Sequence, residues 1–271
     1  RMHQVLFTFD PGAATHEGCV RDHNEDAYLA RPAAGLWLVA DGMGGHRAGD
    51  FASRTIAKSA QWTGIPNSAL DLKTRFVDRL IIAHDEIRKQ SEKLNGATVG
   101  ATLVALLAYE QHFACIWSGD SRIYLQRDDT LQQLTTDHTE AMELLREGAI
   151  TEEEAANWPR KNVITRAIGV TDKPETDENY GVLRVGDVFL LCSDGLTGHV
   201  SDEEIADVLT RDGAQEICDA LIELTLSRGA KDNVTVLVVR VMPGEAMDDD
   251  DLPTNPGYGP PINVDDWKAE D

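Results

Sequence analysis

No two of the four cysteines in this 271-residue sequence form a CxxC pair: Cys19, Cys115, Cys192 and Cys218 are scattered. That spacing offers no zinc ribbon and no disulfide framework. Cys115 and Cys192 sit inside the apolar stretches HFACIW and VFLLCS, where a thiol packs as a small apolar group. Positive charge is also scarce, with 25 Lys and Arg against 47 Asp and Glu and a formal net charge of -22. Such a surface repels phosphate backbones and anionic membranes, which argues against nucleic-acid binding. Long hydrophobic runs are missing. The most apolar window, residues 103–108, is far shorter than a membrane span, and no basic segment followed by an apolar stretch opens the chain. The expectation is therefore a protein without a signal peptide or membrane insertion, working in a reducing cytoplasm. Aromatic residues make up only 6%, but hydrophobic residues reach 42%, enough for a sizeable core.

What is present is a series of short apolar segments bounded by turn residues. QVLFTF (4–9), GLWLVA (35–40), TLVALLAY (102–109), HFACIW (112–117), RIYLQ (122–126), VFLLCS (188–193) and VTVLVVR (234–240) read as strands, and a further strand is expected at Tyr28. Helical periodicity marks residues 48–62 and 70–94, the latter with Leu72, Phe76, Leu80 and Ile87 on one stripe. SDEEIADVL carries a capping box, Ser201 with Glu204, and residues 214–227 form another helix ending near Gly229. Strands cluster, and pairs of helices separate some clusters. That pattern predicts an α+β fold in which antiparallel sheets pack together and helices cover the outside. Residues 137–176 hold two short helical patterns and Pro159 with little strand character, and read as a flap near a site. After residue 242 nine acids face one base, Lys268, among five prolines, which predicts a disordered or loosely docked tail over 243–271. Residues 1–242 are expected to form one folded domain, the part of the chain that would carry any catalytic site.

Acidic clusters fall at the strand ends: RDHNEDA (21–27), ADGMGGH (40–46), GDSR (119–122), CSDGL (192–196) and KDNVTV (231–236). Each alone reads as a turn, since Asp-Gly and Asp-Asn are common turn dipeptides. Together they place carboxylates where a rigid scaffold can converge them, and converging carboxylates repel unless a cation neutralises them. Oxygen ligands without a thiolate or histidine cluster point to Mg²⁺ or Mn²⁺.

The ordered set RxxNEDA, ADGMGGH, GATL, GDSR, NVITRAIG, SDGL and KDNVT, spanning about residues 15–240, resembles that of the metal-dependent serine/threonine protein phosphatases of protein phosphatase 2C type, bacterial branch. The resemblance implies a β-sandwich of two antiparallel sheets flanked by helices, a four-layer αββα arrangement, with a helical flap at about 138–180. It implies hydrolysis of phosphoserine and phosphothreonine in proteins by activated water, with two Mn²⁺ or Mg²⁺ ions and a third in some members. Asp41 would bridge two ions with help from the Gly42 carbonyl, Asp194 and Asp232 would hold the other, and Asp120 with Asp194 would bind the third. Glu25 and Asp26 would support these ligands or reach the metal through water, and Arg21 would bind the substrate phosphate. Where many eukaryotic members have histidine, this chain has Met43. The nearest imidazole is His46, for which general acid and surface hydrogen bonding are both open readings. The implied partners are phosphorylated proteins and a bacterial serine/threonine kinase that the enzyme opposes as a monomer. The stretch GLWLVADGMGGHRAGD resembles phosphatases that counter a kinase controlling type VI secretion. A non-catalytic phosphatase-fold regulatory module and another two-metal hydrolase are the alternatives.

Overall fold

Along β4 (Leu36–Gly44) every residue from Leu36 to Ala40 is buried, because the strand is covered on both faces. Leu36, Leu38 and Ala40 join one core cluster, while Trp37 and Val39 join another, as the two-residue period of a strand dictates. The computed structural model describes residues 3–4, 7–45, 48–244, 246–247 and 267. In it β4 lies in a five-stranded antiparallel sheet, flanked by β3 (Asp26–Arg31) and β5 (Val99–Tyr109) and continued by β6 (His112–Ser118) and β9 (Asp177–Val182). A second five-stranded sheet runs in the order β2 (Phe7–His16), β11 (Val234–Pro243), β10 (Val188–Cys192), β7 (Arg122–Arg127), β8 (Thr130–Gln133). β1 (His3–Gln4) and β12 (Ala246–Met247) form a separate small pair.

Three apolar layers hold these elements together. The inner faces of the two sheets meet through Trp37, Val104, Phe113, Phe189, Leu191 and Leu237. On one outside, α1 (Ala48–Ala60) and α2 (Ala69–Lys93) lay Ile56, Leu72, Phe76 and Ile87 onto the first sheet. On the other, α6 (Asp202–Leu209) and α7 (Ala214–Ser227) lay Ile205, Ile217 and Leu221 onto the second. The expected α+β sandwich in four αββα layers is the architecture found. The capping box at α6 is complete. The Glu204 N–H donates to the Ser201 hydroxyl at 3.3 Å, and the Ser201 N–H donates to the Glu204 carboxylate at 3.2 Å.

Some elements differ from what the sequence suggests. β2 continues through Pro11 and Gly12, a dipeptide that reads as a turn. It is the edge strand of its sheet, where the missing proline N–H costs no ladder bond. β8 and β9, neither of which shows a strand-like apolar run, are also edge strands with half-exposed residues and polar sequences. Between them the chain forms α3 (Glu140–Arg146) and α4 (Glu152–Ala156), the helices of the expected flap, and returns to the sheet at Asp177. The prediction for the tail falls on residues that lie outside the described set, apart from Pro243, Gly244, Ala246, Met247 and Trp267.

Candidate functional site

Strand register brings the acidic clusters to one end of the sandwich. Asp26 stands directly opposite Asp41 on neighbouring strands, and Thr102 faces Asp41 on its other side. β10 ends at Cys192 beside Arg122, the start of β7, so Asp194 and Asp120 emerge at that same end. Asp232 precedes β11, whose first residue, Val234, pairs with His16 there too. The structure thus collects Asp26, Asp41, Asp120, Asp194 and Asp232, donated by both sheets.

Polar side chains fix this arrangement. The Asn233 carboxamide accepts from the Glu25 N–H at 2.9 Å and donates to the carbonyls of Glu17 and His23, each at 2.9 Å. It thereby ties the Asp232 loop to the segment that carries Glu25 and Asp26. The Ser193 and Thr235 hydroxyls donate to one Asp26 oxygen at 3.0 and 2.7 Å. Gly42 donates its N–H to the Glu25 carbonyl at 3.0 Å. Sequence reasoning named the motifs containing Ser193, Asn233 and Thr235 but not these side chains. Their only signal was a place within three residues of an aspartate at a strand end.

Two glycines permit the close approach of backbones. A Cβ at Gly42 would lie 1.9 Å from the Gly49 carbonyl oxygen at the start of α1, and one at Gly195 would lie 1.8 Å from the Asn233 carbonyl oxygen. Gly195 follows Asp194 in the short α5 (Asp194–Thr197), so this contact sets the spacing of Asp194 and Asp232. Gly195→Ala is expected to lower stability by about 1–3 kcal/mol through overpacking. It should also weaken Mn²⁺ binding in calorimetric titration. An alanine variant with native melting temperature and affinity would show that the backbone yields freely here.

The cluster is electrostatically uncompensated. Burial pushes the Asp26 carboxyl up to about 7, against the opposing effect of the Thr235 hydroxyl. Burial and the Asp194 charge push Asp120 up to about 8. Asp41 lies well above the usual carboxylate range, first through desolvation and then through the charges of Asp26 and Asp194. Asp194 is raised by desolvation, an effect opposed by its hydrogen bond with Asp41. One oxygen each of Asp26, Asp120 and Asp194 is buried with no hydrogen-bond partner among the described residues. Among those residues no three His, Cys, Asp or Glu side chains are already drawn into a closed ligand cage. The orphaned oxygens weigh more, because bare carboxylates hold apart by repulsion and buried acceptors demand a partner. A divalent cation with a preference for oxygen fits this donor set.

The other candidate residues surround the cluster. Arg21 Nε lies 3.4 Å from an Asp232 oxygen, with both side chains well exposed. Glu25 accepts from His23 at 3.0 Å. His46 lies outside the described residues. His138 is buried, accepting from the Gly119 N–H at 2.9 Å and pairing with Asp177 at 2.7 Å, so it serves the loop that carries Asp120. Asp137, which sequence reasoning did not single out, accepts from Arg122 at 2.9, 3.3 and 2.8 Å. A groove of about 820 Å³ opens beside the cluster, with Asp120, Asp194 and Asp232 on one wall and Met142, Leu145 and Ala155 of the flap helices on the other.

A family profile described as protein phosphatase 2C matches residues 19–234. The serine/threonine phosphatase stp of Listeria welshimeri is 39% identical over 236 residues, covering 83% of this chain and 93% of that protein. Among solved structures, PppA, described as a key regulatory component of T6SS in Pseudomonas aeruginosa, superimposes with a TM-score of 0.80 at 39% identity, covering 88% of this chain and 99% of the other. The catalytic domain of the serine threonine protein phosphatase PstP, in complex with two manganese ions, superimposes with a TM-score of 0.77 at 35% identity, covering 88% and 99%.

Proposed function

The chain belongs to the protein phosphatase 2C family, and we propose that its aspartate cluster is the metal centre at which phosphoserine and phosphothreonine are hydrolysed. It is a metal-dependent serine/threonine protein phosphatase acting on phosphoproteins. The observation that carries the site assignment is the set of buried carboxylate oxygens on Asp26, Asp120 and Asp194 that have no donor, gathered around Asp41. Asp41 faces Asp26 across the strand pair and lies within the fields of Asp194 and Asp120, so it would be the ligand shared by two ions, with the Gly42 carbonyl beside it. Asp194 and Asp232 would hold the second ion, and Asp120 with Asp194 would supply a third position. Mn²⁺ or Mg²⁺ suits these oxygens, and a bound pair supplies an activated water and neutralises phosphoryl charge. Ser193 and Thr235 fix Asp26 by one oxygen and leave the other toward the cluster. Glu25 and Asp26 support the ligands, and His46 is the candidate general acid.

Arg21 needs only to leave Asp232 to meet a phosphate, and a planar guanidinium suits two phosphoryl oxygens. That exposed pair contributes little to stability, so the side chain is free to serve substrate. The groove between the cluster and the flap receives the peptide around the phosphoresidue. The similarity to PppA and the stretch around Asp41 support pairing this enzyme with a kinase that controls type VI secretion. The enzyme works as a cytoplasmic monomer in this reading. No helix among the described residues is long and apolar enough to cross a membrane.

Hydrolysis of a phosphothreonine peptide with Mn²⁺, and again after EDTA, tests the assignment. Folded protein without Mn²⁺-dependent turnover would overturn it. In the same assay Arg21→Ala should raise KM about tenfold or more with a smaller change in kcat, as loss of a charge-assisted contact requires. An unchanged KM would remove Arg21 from phosphate binding.

A further inference from the structure

We propose that Trp267 is a latch that holds the acidic carboxyl-terminal segment of the chain, in cis, in a slot between the α1–α2 layer and the β9 edge of its sheet. Trp267 is 0% exposed, ranks among the largest fully buried side chains, and belongs to the apolar cluster that α1 and α2 make with the first sheet. Its ring centroid lies 6.4 Å from that of Tyr180 on β9, inclined at 34°. Tyr180 is itself held in place. Lys73 of α2 donates to its hydroxyl at 2.9 Å and lies 5.6 Å from its ring centre, while the hydroxyl donates to Glu178. Tyr180 is thus fixed on β9 by contacts that do not involve the tryptophan.

The place of the seat follows from register. Tyr180 pairs with Ala114, Ala114 with Leu107, and Leu107 with Leu36. Asp41 lies five residues further along β4, roughly 17 Å at the strand rise. The latch therefore sits away from the aspartate cluster, and its existence does not depend on the phosphatase reading.

The occupant is this chain's own segment. Trp267 is flanked by Asp265, Asp266, Lys268 and Glu270 in the stretch with nine acids. Nineteen residues lie between it and Met247, a connection that reaches as far as about 66 Å when extended, which allows an occupant from the same chain. A buried tryptophan removes roughly 150–250 Å² from water, which gives one residue a large share in anchoring its segment. The indole Nε1 has no hydrogen-bond partner among the described residues. An unpaired buried donor is costly, and the apolar cluster with α1, α2 and the Tyr180 ring supplies the contact that offsets it. That is the chemistry of a latch rather than of a polar core network.

Hydroxyl-radical footprinting of the full chain, read by mass spectrometry, tests this directly. Trp62, 67% exposed, is the fast internal reference, and Trp37, 0% exposed, the slow one. Trp267 should be oxidised at least about tenfold more slowly than Trp62, at a rate unchanged over a hundredfold range of protein concentration. Oxidation at the Trp62 rate would overturn the proposal. Protection that appears only at high concentration would overturn the cis occupant in favour of a second copy. In parallel, Trp267→Ala should lower the melting temperature on the order of 10 °C, Trp267→Phe by less, and both should keep kcat/KM for p-nitrophenyl phosphate within about twofold. A native melting temperature in Trp267→Ala would refute the latch.

Discussion

Asp41→Asn is expected to abolish Mn²⁺-dependent turnover by a factor on the order of 10³ while leaving the metal-free protein at least as stable as the native chain at pH 8. The loss follows from position. Asp41 faces Asp26 directly and lies within the fields of Asp194 and Asp120, so it is the carboxylate best placed to be shared by two cations. An amide oxygen cannot bridge two cations with comparable charge, and the several kcal/mol of charge stabilisation that such a centre provides converts to about that factor in rate. The gain has the same origin. In the metal-free protein burial and the charges of Asp26 and Asp194 make ionisation of Asp41 costly, and asparagine removes that cost at nearly constant volume. The two measurements, kcat and melting temperature, therefore move in opposite directions. A variant that merely misfolded would lose both. Retention of the native rate would refute the bridging role.

The second large effect concerns pH and metal removal together. Asp26 at about 7 and Asp120 at about 8 stand well above the value near 3.9 that an aspartate has in an unfolded chain. Between about pH 4 and pH 8 the folded, metal-free protein therefore binds more protons than the unfolded chain. Stability from this cluster then falls as pH rises, by linkage. It is fully present below pH 4 and lost as pH passes through 7 and 8, where the ionised cluster costs on the order of several kcal/mol. Cations that bind only the folded state restore stability by mass action, about 3–4 kcal/mol at 100 to 1,000 times their dissociation constant. At low pH they must first displace the protons. The rise in melting temperature on adding Mn²⁺ to EDTA-treated protein should accordingly be larger at pH 8 than at pH 5. Taking this difference cancels titrations elsewhere, such as Glu204, whose pairing with Arg228 lowers it to about 2 and acts in the opposite sense. An increment that is equal at both pH values, or larger at pH 5, would mean that the aspartates do not bind the cation.

Much of the fold was legible because the sandwich writes its layers into the chain. Val234, Val236 and Val238 face one core while Leu237 and Val239 face another, so the last strand is apolar throughout and unmistakable. Helix α7 was legible to the residue, since its periodic face and its terminal Gly229 bracket it. Edge strands were not. DENYGV in β9 and TLQQ in β8 carry little apolar sequence because one face or one side meets solvent, and Pro11 hides the continuation of β2. Their strand state comes from pairing with neighbours distant in sequence, which local propensity does not encode.

For the site, the sequence by itself determined which carboxylates sit at strand ends, and the ordered motifs carried the family. Burial could not be read there. Which oxygens lack donors, how Asn233 links Glu17, His23 and Glu25, and that Ser193 and Thr235 restrain Asp26 depend on contacts between residues up to 216 positions apart. Trp267 is the clearest case. Its neighbours in sequence are charged and speak for solvent, and only the seat formed by Tyr180 and the α1–α2 layer decides that it is buried. A residue's chemistry is fixed by its side chain, but whether that chemistry is desolvated is set by what the tertiary fold brings against it.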